Sequence, residues 1–361
     1  MTRTERLQRA LLTTGVDAIL VTDLTNVLYL TGFSGSNAQL LVTPSEAHLL
    51  TDPRYDQRAR SLAKDCEIHI YEGRAGVSWK GGPAEVLEPL IAGSERIGVE
   101  ADNMSVTEFA GLEELFGNAE WVATSGVVEQ LRRVKDDGEM TLLREAMALA
   151  DAAFEHIVDR LDVGRAERDV ALDLEAFMRS SGAEAVSFPP IVGSGPLSAH
   201  IHHTPGDRTL EKGDLVLLDF GARYRGYCSD MTRTVVLGAA SAQQVEMYTV
   251  VLEAQRAAID SISAGALGRE VDSVARKVIA DAGHAQHFNH GLGHGVGLAI
   301  HEAPGLGKTS TDRLEMGEVV TVEPGIYLPG DGGVRIEDCV LVTGDGAEVL
   351  TSAQKESLLE L

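Results

Sequence analysis

Through residues 1–128 the spacing of apolar positions switches back and forth between a helical and an extended period. Residues 5–14 have helical spacing, and 17–22 (VDAILV) form a short apolar run suited to a buried strand. LLVTPSEAHLLTD reads as strand, turn, strand, and PRYDQRARSLAKD as helix. IHIY, RIGVE and WVATS read as strands, separated by helices at PAEVLEPLIAG and SVTEFAGLEELFG. This alternation predicts an α/β domain over 1–128, with helices covering a central sheet. At KDDGEMTLLREAMALADAAFEHIVDRL the pattern becomes one long amphipathic helix, followed by another at ERDVALDLEAFMRSSG. Further helices fall at 243–263 and 269–282, and helix pairs precede paired strands, so 129–361 reads as a second, α+β domain.

The strands of that second domain carry acids where a core would carry apolar residues. In KGDLVLLDFGARYRGYCSDMTRTVVL two alternating runs flank a turn near Tyr224 and Arg225. A hairpin centred there sets Asp219 directly opposite Asp230, with their Cβ atoms about 5 Å apart. Two like charges so placed repel unless a cation lies between them. A second pair lies in GEVVTVEPGIYLPGDGGVRIEDCVLVT. Glu323 and Glu337 are equidistant from Gly330, so an odd-length loop there pairs them across a second hairpin. His294, in HGLGHGVGLAIHEAPG, completes a set of four carboxylates and one imidazole. Such an oxygen-rich set suits Mn²⁺, Co²⁺, Fe²⁺ or Zn²⁺, and that much acid implies two ions about 3.5–4 Å apart.

Histidine placement points to the same region. Eight of the 11 histidines lie between 200 and 301, where even scatter would put far fewer. His290 and His294 alternate with Gly291, Gly293, Gly295 and Gly297, which disfavour a helix. In an extended segment both imidazoles face one side, and the glycines admit close backbone approach. The same run is not a dinucleotide-binding loop, because the helix and the acidic residue that motif needs do not follow. Arg335 precedes Glu337 by two and shares its strand face, either clamping substrate or Glu337 or pairing with the acids.

The order Asp, Asp, His, Glu, Glu within DFGARYRGYCSDMTRT, HGLGHGVGLAIHE, EPGIY and RIED resembles the pita-bread metallopeptidases, and within them the Xaa-Pro peptidases, aminopeptidase P and prolidase. The resemblance spans roughly 130–361 and extends weakly into the first domain through NVLYLTGFSGSNAQLLV and TDPRYDQRA. It implies a creatinase-like α/β domain (1–128), then an α+β pita-bread catalytic domain (129–361). It also implies two divalent ions per subunit, Mn²⁺ first and Co²⁺, Zn²⁺ or Fe²⁺ as alternatives. Their ligands would be Asp219, Asp230, His294, Glu323 and Glu337, with Glu323 also accepting a proton. His202 and His301 match the family's catalytic histidines, and His290 matches a substrate-facing one. The family's Pro-His is Ile201-His202 here, and His203 follows, so either histidine could fill that place. Thr232 is the expected support for the ligands.

The implied reaction is cleavage of the bond before a proline in second position, with dipeptides preferred and longer Xaa-Pro peptides as the alternative. A metal-free creatinase-type amidinohydrolase and a non-catalytic binding module share the fold, but such proteins replace metal ligands. Two-domain members of the family are commonly homodimers.

Composition narrows the partners. The net charge of −24, from 31 basic and 55 acidic residues, repels nucleic acid and anionic membrane. No segment approaches the roughly 20 apolar residues of a membrane span, and the first residues lack a signal-peptide run. Cys66, Cys228 and Cys339 are odd in number and have no framework spacing, so a cytoplasmic, disulfide-free protein is expected.

Overall fold

Helix α1 (Arg3–Thr14) starts at a reciprocal cap. The Thr2 hydroxyl accepts from the Glu5 N–H, and the Glu5 carboxylate accepts from the Thr2 N–H. It ends at Gly15, whose φ of 72° suits a residue without Cβ. The computed structural model describes residues 1–72 and 79–361, in two units, Met1–Arg132 and Arg133–Leu361.

In the first unit, β1 (Ala18–Val21), α2 (Leu24–Thr31), β2 (Gln39–Val42), β3 (Ala47–Thr51), α3 (Asp56–Leu62) and β4 (Glu67–Ile70) follow α1. Then come α4 (Ala84–Leu90), β5 (Arg96–Glu100), α5 (Val106–Leu115), β6 (Glu120–Thr124) and the terminal α6 (Val127–Arg133). The strands form one mixed sheet in the order β4-β3-β2-β1-β5-β6. The pairs β1–β5, β5–β6 and β3–β4 are parallel, and β2 runs antiparallel to both neighbours. Leu20, Leu41, Leu50 and Ile97 from the sheet pack with Leu87 of α4 and Leu112 of α5. Each such fully buried side chain contributes about 1.5–3 kcal/mol.

The second unit begins with α7 (Asp137–Val158) and α8 (Glu167–Ser180), then β7 (Ala185–Val186), β8 (Ile191–Ser194), β9 (Leu215–Phe220), β10 (Ala222–Tyr224), β11 (Tyr227–Cys228) and β12 (Met231–Val236). After α9 (Ala242–Asp260) and α10 (Gly268–Asp281) come β13 (Gly293–Gly295), β14 (Glu302–Leu306), β15 (Val319–Val322), β16 (Gly325–Leu328), β17 (Gly332–Arg335), β18 (Asp338–Val342), β19 (Ala347–Val349) and β20 (Leu359–Glu360). Helices α7 and α8 pack on the sheet β20-β12-β9-β8 through Phe154, Leu174, Leu218 and Phe220. Helices α9 and α10 pack on β14-β13-β15-β18-β19 through Val251, Ile279, Val320 and Val340. The helix pair followed by strands thus occurs twice, once in each half of this unit.

The two hairpins differ in how they meet expectation. Leu328 pairs with Gly332 around a turn centred on Gly330, and Gly325 pairs with Arg335. The neighbouring ladder continues in step, with Val322 opposite Asp338. Glu323 and Glu337 therefore occupy facing positions where one ladder passes into the next, as the sequence predicts. The first hairpin turns at Arg225 and Gly226, with φ of 49° and 91°, between the pair Tyr224 and Tyr227. A two-residue turn with both φ positive suits the twist of a hairpin. This corrects the expected turn position, and Asp219 faces Thr232 rather than Asp230. Asp230 lies two residues from that facing slot, on the same side of the strand pair.

Candidate active site

Asp219, near the end of β9, and Asp230, just before β12, are both buried. His294 sits at the centre of β13, a strand that fits between its neighbours only because glycines flank the histidine. A Cβ on Gly293 would lie 2.0 Å from the Thr321 carbonyl, and one on Gly295 would lie 2.3 Å from that of Ala303. The His294 N–H donates to Thr321 Oγ1 at 3.0 Å, and its Nδ1 donates to the Gly295 carbonyl at 3.0 Å. Nε2 is thereby left with a lone pair, the form in which an imidazole binds a metal. That nitrogen lies 3.5 Å from Asp230 Oδ2 and 3.5 Å from Glu323 Oε1. Donor atoms of Asp230, His294 and Glu337 all lie within 4.8 Å of one another.

Arg335 supplies the positive charge set against these acids. Its guanidinium is buried and donates to Asp219 Oδ2 at 2.6 Å, Thr232 Oγ1 at 3.0 Å and the Tyr327 hydroxyl at 2.9 Å. Thr232, in the slot facing Asp219, donates its own O–H to Glu337 Oε2 at 2.7 Å. Of the alternatives for Arg335, the geometry carries the link that keeps the acids in place. Both ring nitrogens of His290 are also engaged. Nδ1 donates to the Gly291 carbonyl at 2.8 Å, so Nε2 accepts from the Tyr327 hydroxyl, also at 2.8 Å.

Burial and mutual repulsion act on every acid here. Glu323 is pushed up to about 8 chiefly by burial, with Asp219 adding to the rise and Arg335 opposing it. Burial and the neighbouring carboxylates raise Asp230 and Glu337 well above the usual range. Burial raises Asp219 too, against the pull of Arg335, and its Oδ1 is buried with no hydrogen-bond partner among the described residues. Burial lowers His290 to about 3 and His294 to about 4, so both are neutral near pH 7. Three buried carboxylates and the partly exposed Glu323 cannot all ionise beside a single guanidinium. Divalent cations would compensate the remaining charge, and the donor set fits two of them.

These side chains line a cleft of about 530 Å³ together with His202 and His301, walled by Phe188, Pro189, Pro190, Ile201 and Ile300. The His301 ring meets that of His294 edge-on, with centroids 4.4 Å apart. His203 Nε2 lies 2.7 Å from buried Glu167, and both His202 and His203 line the cleft.

Sequence reasoning missed Tyr327, Thr321 and the network beneath Glu337. There Arg233 donates to Asp338 at 2.7 Å, and Lys355 and Gln255 also bond that carboxylate. Burial would raise Asp338, but Arg233 and Lys355 outweigh it and hold the acid at about 2. Tyr327 had a signal in EPGIY, on the strand next to Glu323, while the Asp338 network joins residues up to 105 apart and had none.

The chain matches the description Metallopeptidase family M24 over residues 141–344 and Creatinase/Prolidase N-terminal domain over residues 3–134. The Xaa-Pro dipeptidase of Pyrococcus horikoshii is 34% identical, with 94% of each chain covered. Among solved structures, the Xaa-Pro dipeptidase from Bacillus anthracis superposes with a TM-score of 0.95 at 42% identity, covering 99% of both chains. The X-Pro aminopeptidase from Thermotoga maritima gives 0.90 at 35% identity, covering all of both chains. The chain belongs to metallopeptidase family M24, with a creatinase/prolidase-type domain ahead of the catalytic one.

Proposed function

We propose that this chain is an Xaa-Pro dipeptidase with two divalent ions held by Asp219, Asp230, His294, Glu323 and Glu337. The observation that carries this reading is the convergence of those five donors on one cleft, with Asp219 Oδ1 buried and unpartnered. When bound, such ions supply a nucleophilic hydroxide near neutral pH and polarise the scissile carbonyl. Glu323, on the same cleft, accepts the proton released on attack. His202 and His301, on the rim of the same cleft, donate to the developing oxyanion and hold the leaving side. Arg335 and Thr232 position Asp219 and Glu337, and the His290–Tyr327 pair holds Arg335 in place.

Proline suits this cleft for a physical reason. It lacks an N–H and has a fixed φ, so it fits badly into a site that grips peptides as strands. A site that grips the free amine and the scissile carbonyl, with Phe188, Pro190 and Ile201 against the ring, needs neither property. The names of the relatives support both dipeptides and longer peptides as substrates, and the dipeptide reading is the one advanced here. Mn²⁺ is the expected ion because four of the five donors are carboxylates. A cytoplasmic homodimer completes the proposal, and the three free thiols accord with a reducing compartment.

The test is a cleavage panel of Xaa-Pro, Xaa-Pro-Xaa and Xaa-Ala peptides on the metal-stripped protein reloaded with Mn²⁺ or Co²⁺. Ala-Pro hydrolysis well above Ala-Ala and Ala-Pro-Ala is expected. Equal hydrolysis of Ala-Ala would overturn the proline requirement, and faster tripeptide cleavage would make the protein an aminopeptidase.

A further inference from the structure

The edge of the first unit's sheet gathers another set of metal-binding side chains. The parallel register of β3 and β4 sets His48 beside Glu67, with His69 two residues further along on the same face. His48 Nδ1 lies 3.1 Å from His69 Nε2 and 3.6 Å from Glu67 Oε2, and those last two atoms are 3.8 Å apart. A point equidistant from the three atoms lies about 2.0 Å from each, the length of a Zn–N or Zn–O bond. One N–H···N hydrogen bond would account for the short imidazole contact. It would not account for a carboxylate oxygen placed almost symmetrically over both nitrogens.

The surroundings add a second observation. Glu46 Oε2 stands 3.5 Å from the far nitrogen of His48, Nε2. A carboxylate there favours a proton on Nε2 and leaves Nδ1 as a lone pair, the way metal-bound imidazoles are oriented. The His48 side chain is only 6% exposed and that of Glu67 is 68% exposed. The group therefore has a fixed ligand at its base and a mouth open to water.

We propose that His48, Glu67 and His69 form a binding site for a zinc-type divalent cation, with water in the remaining position. Two imidazoles and one carboxylate suit Zn²⁺ or Co²⁺ better than Mg²⁺ or Ca²⁺. The ion would join β4, the outermost strand of the sheet, to β3.

The test uses the full-length protein, stripped with chelator and reloaded with Co²⁺ or Zn²⁺. Visible Co²⁺ absorption and metal content per chain are the readouts. His69→Gln and Glu67→Gln are each expected to retain one ion fewer per chain than the unaltered protein, with peptidase activity unchanged. Glu46→Gln should weaken that ion's binding by about 10-fold or more while leaving the ligands in place. His48→Gln should behave as His69→Gln does, and if burial of His48 makes that variant unfold, the edge-strand variants still decide. Equal metal content and equal spectra in the unaltered protein and His69→Gln would overturn the proposal, leaving the imidazoles a hydrogen-bonded pair.

Discussion

Thr232→Val removes one hydroxyl from the middle of the acid cluster and preserves the shape of the side chain. Thr232 is fully buried, accepts from Arg335 Nε at 3.0 Å and donates to Glu337 Oε2 at 2.7 Å. Each bond involves an ionic partner and contributes about 1.5–3 kcal/mol. Arg335 keeps its bonds to Asp219 and Tyr327, so its share of the loss falls at the low end. Glu337 loses the contact that orients its carboxylate. Together the expected destabilisation is about 3 kcal/mol, since a buried partner left unpaired is costlier than a pair replaced whole. For a unit of this size that corresponds to a fall of about 6–12 °C in its melting transition. Misorienting a ligand in this way also weakens metal binding by about 10–100-fold. Scanning calorimetry with and without Mn²⁺ reads the first effect, and competition against a fluorescent chelator reads the second. Unchanged melting and unchanged metal affinity in the variant would refute the idea that this hydroxyl links the guanidinium to the ligand set.

Three further outcomes are expected. His202→Gln should lower kcat by about 10²–10³-fold with little change in melting. His203→Gln should instead cost about 1–3 kcal/mol of stability, because buried Glu167 Oε2 loses its short bond and keeps only the 3.4 Å one from the Gly206 N–H; equal kcat losses in the two variants would contradict the assignment. Gly293→Ala forces a methyl to within 2.0 Å of the Thr321 carbonyl and should displace His294, losing metal as well as stability; a variant with normal metal content would show that the strand has room to spare. Without ions, Glu323 stays protonated up to about pH 8, while in the unfolded chain it ionises near pH 4. The folded form then binds more protons across that window, so the metal-free protein should lose stability as pH rises through it. Metal replaces those protons, so its stabilising effect should grow from about pH 4 to pH 8; a melting shift independent of pH would count against this.

Much of the catalytic unit was legible because its ligands lie on hairpins, where alternation and turn position fix which residues meet. Gly330 marked the centre of the second turn correctly, so the facing of Glu323 and Glu337 followed. The first turn was placed one residue early, although Gly226, which takes φ of 91°, was the stronger marker. The error shifted the register by two, an even number, so Asp219 and Asp230 kept a common face while the facing slot went to Thr232. In the first unit, α2 was not read, although Asp23 caps its start and Gly32 closes it at φ 78°. What no local pattern could give were the long-range partners: Glu167 with His203, Arg233 with Asp338, and the Tyr327 hydroxyl with His290. Tertiary packing alone chooses those pairs.

The turn around Gly330 is exposed and holds none of the five acid and imidazole donors. Surface turns elsewhere in proteins readily absorb insertions. Here one added residue would slide β17 against β16 by a single place and swing both Arg335 and Glu337 to the opposite side of their strand. The tip acts as a spacer gauge for a centre it never touches. Among descendants of this chain its length would be held, and so would the glycine at 330, whose φ is 90°.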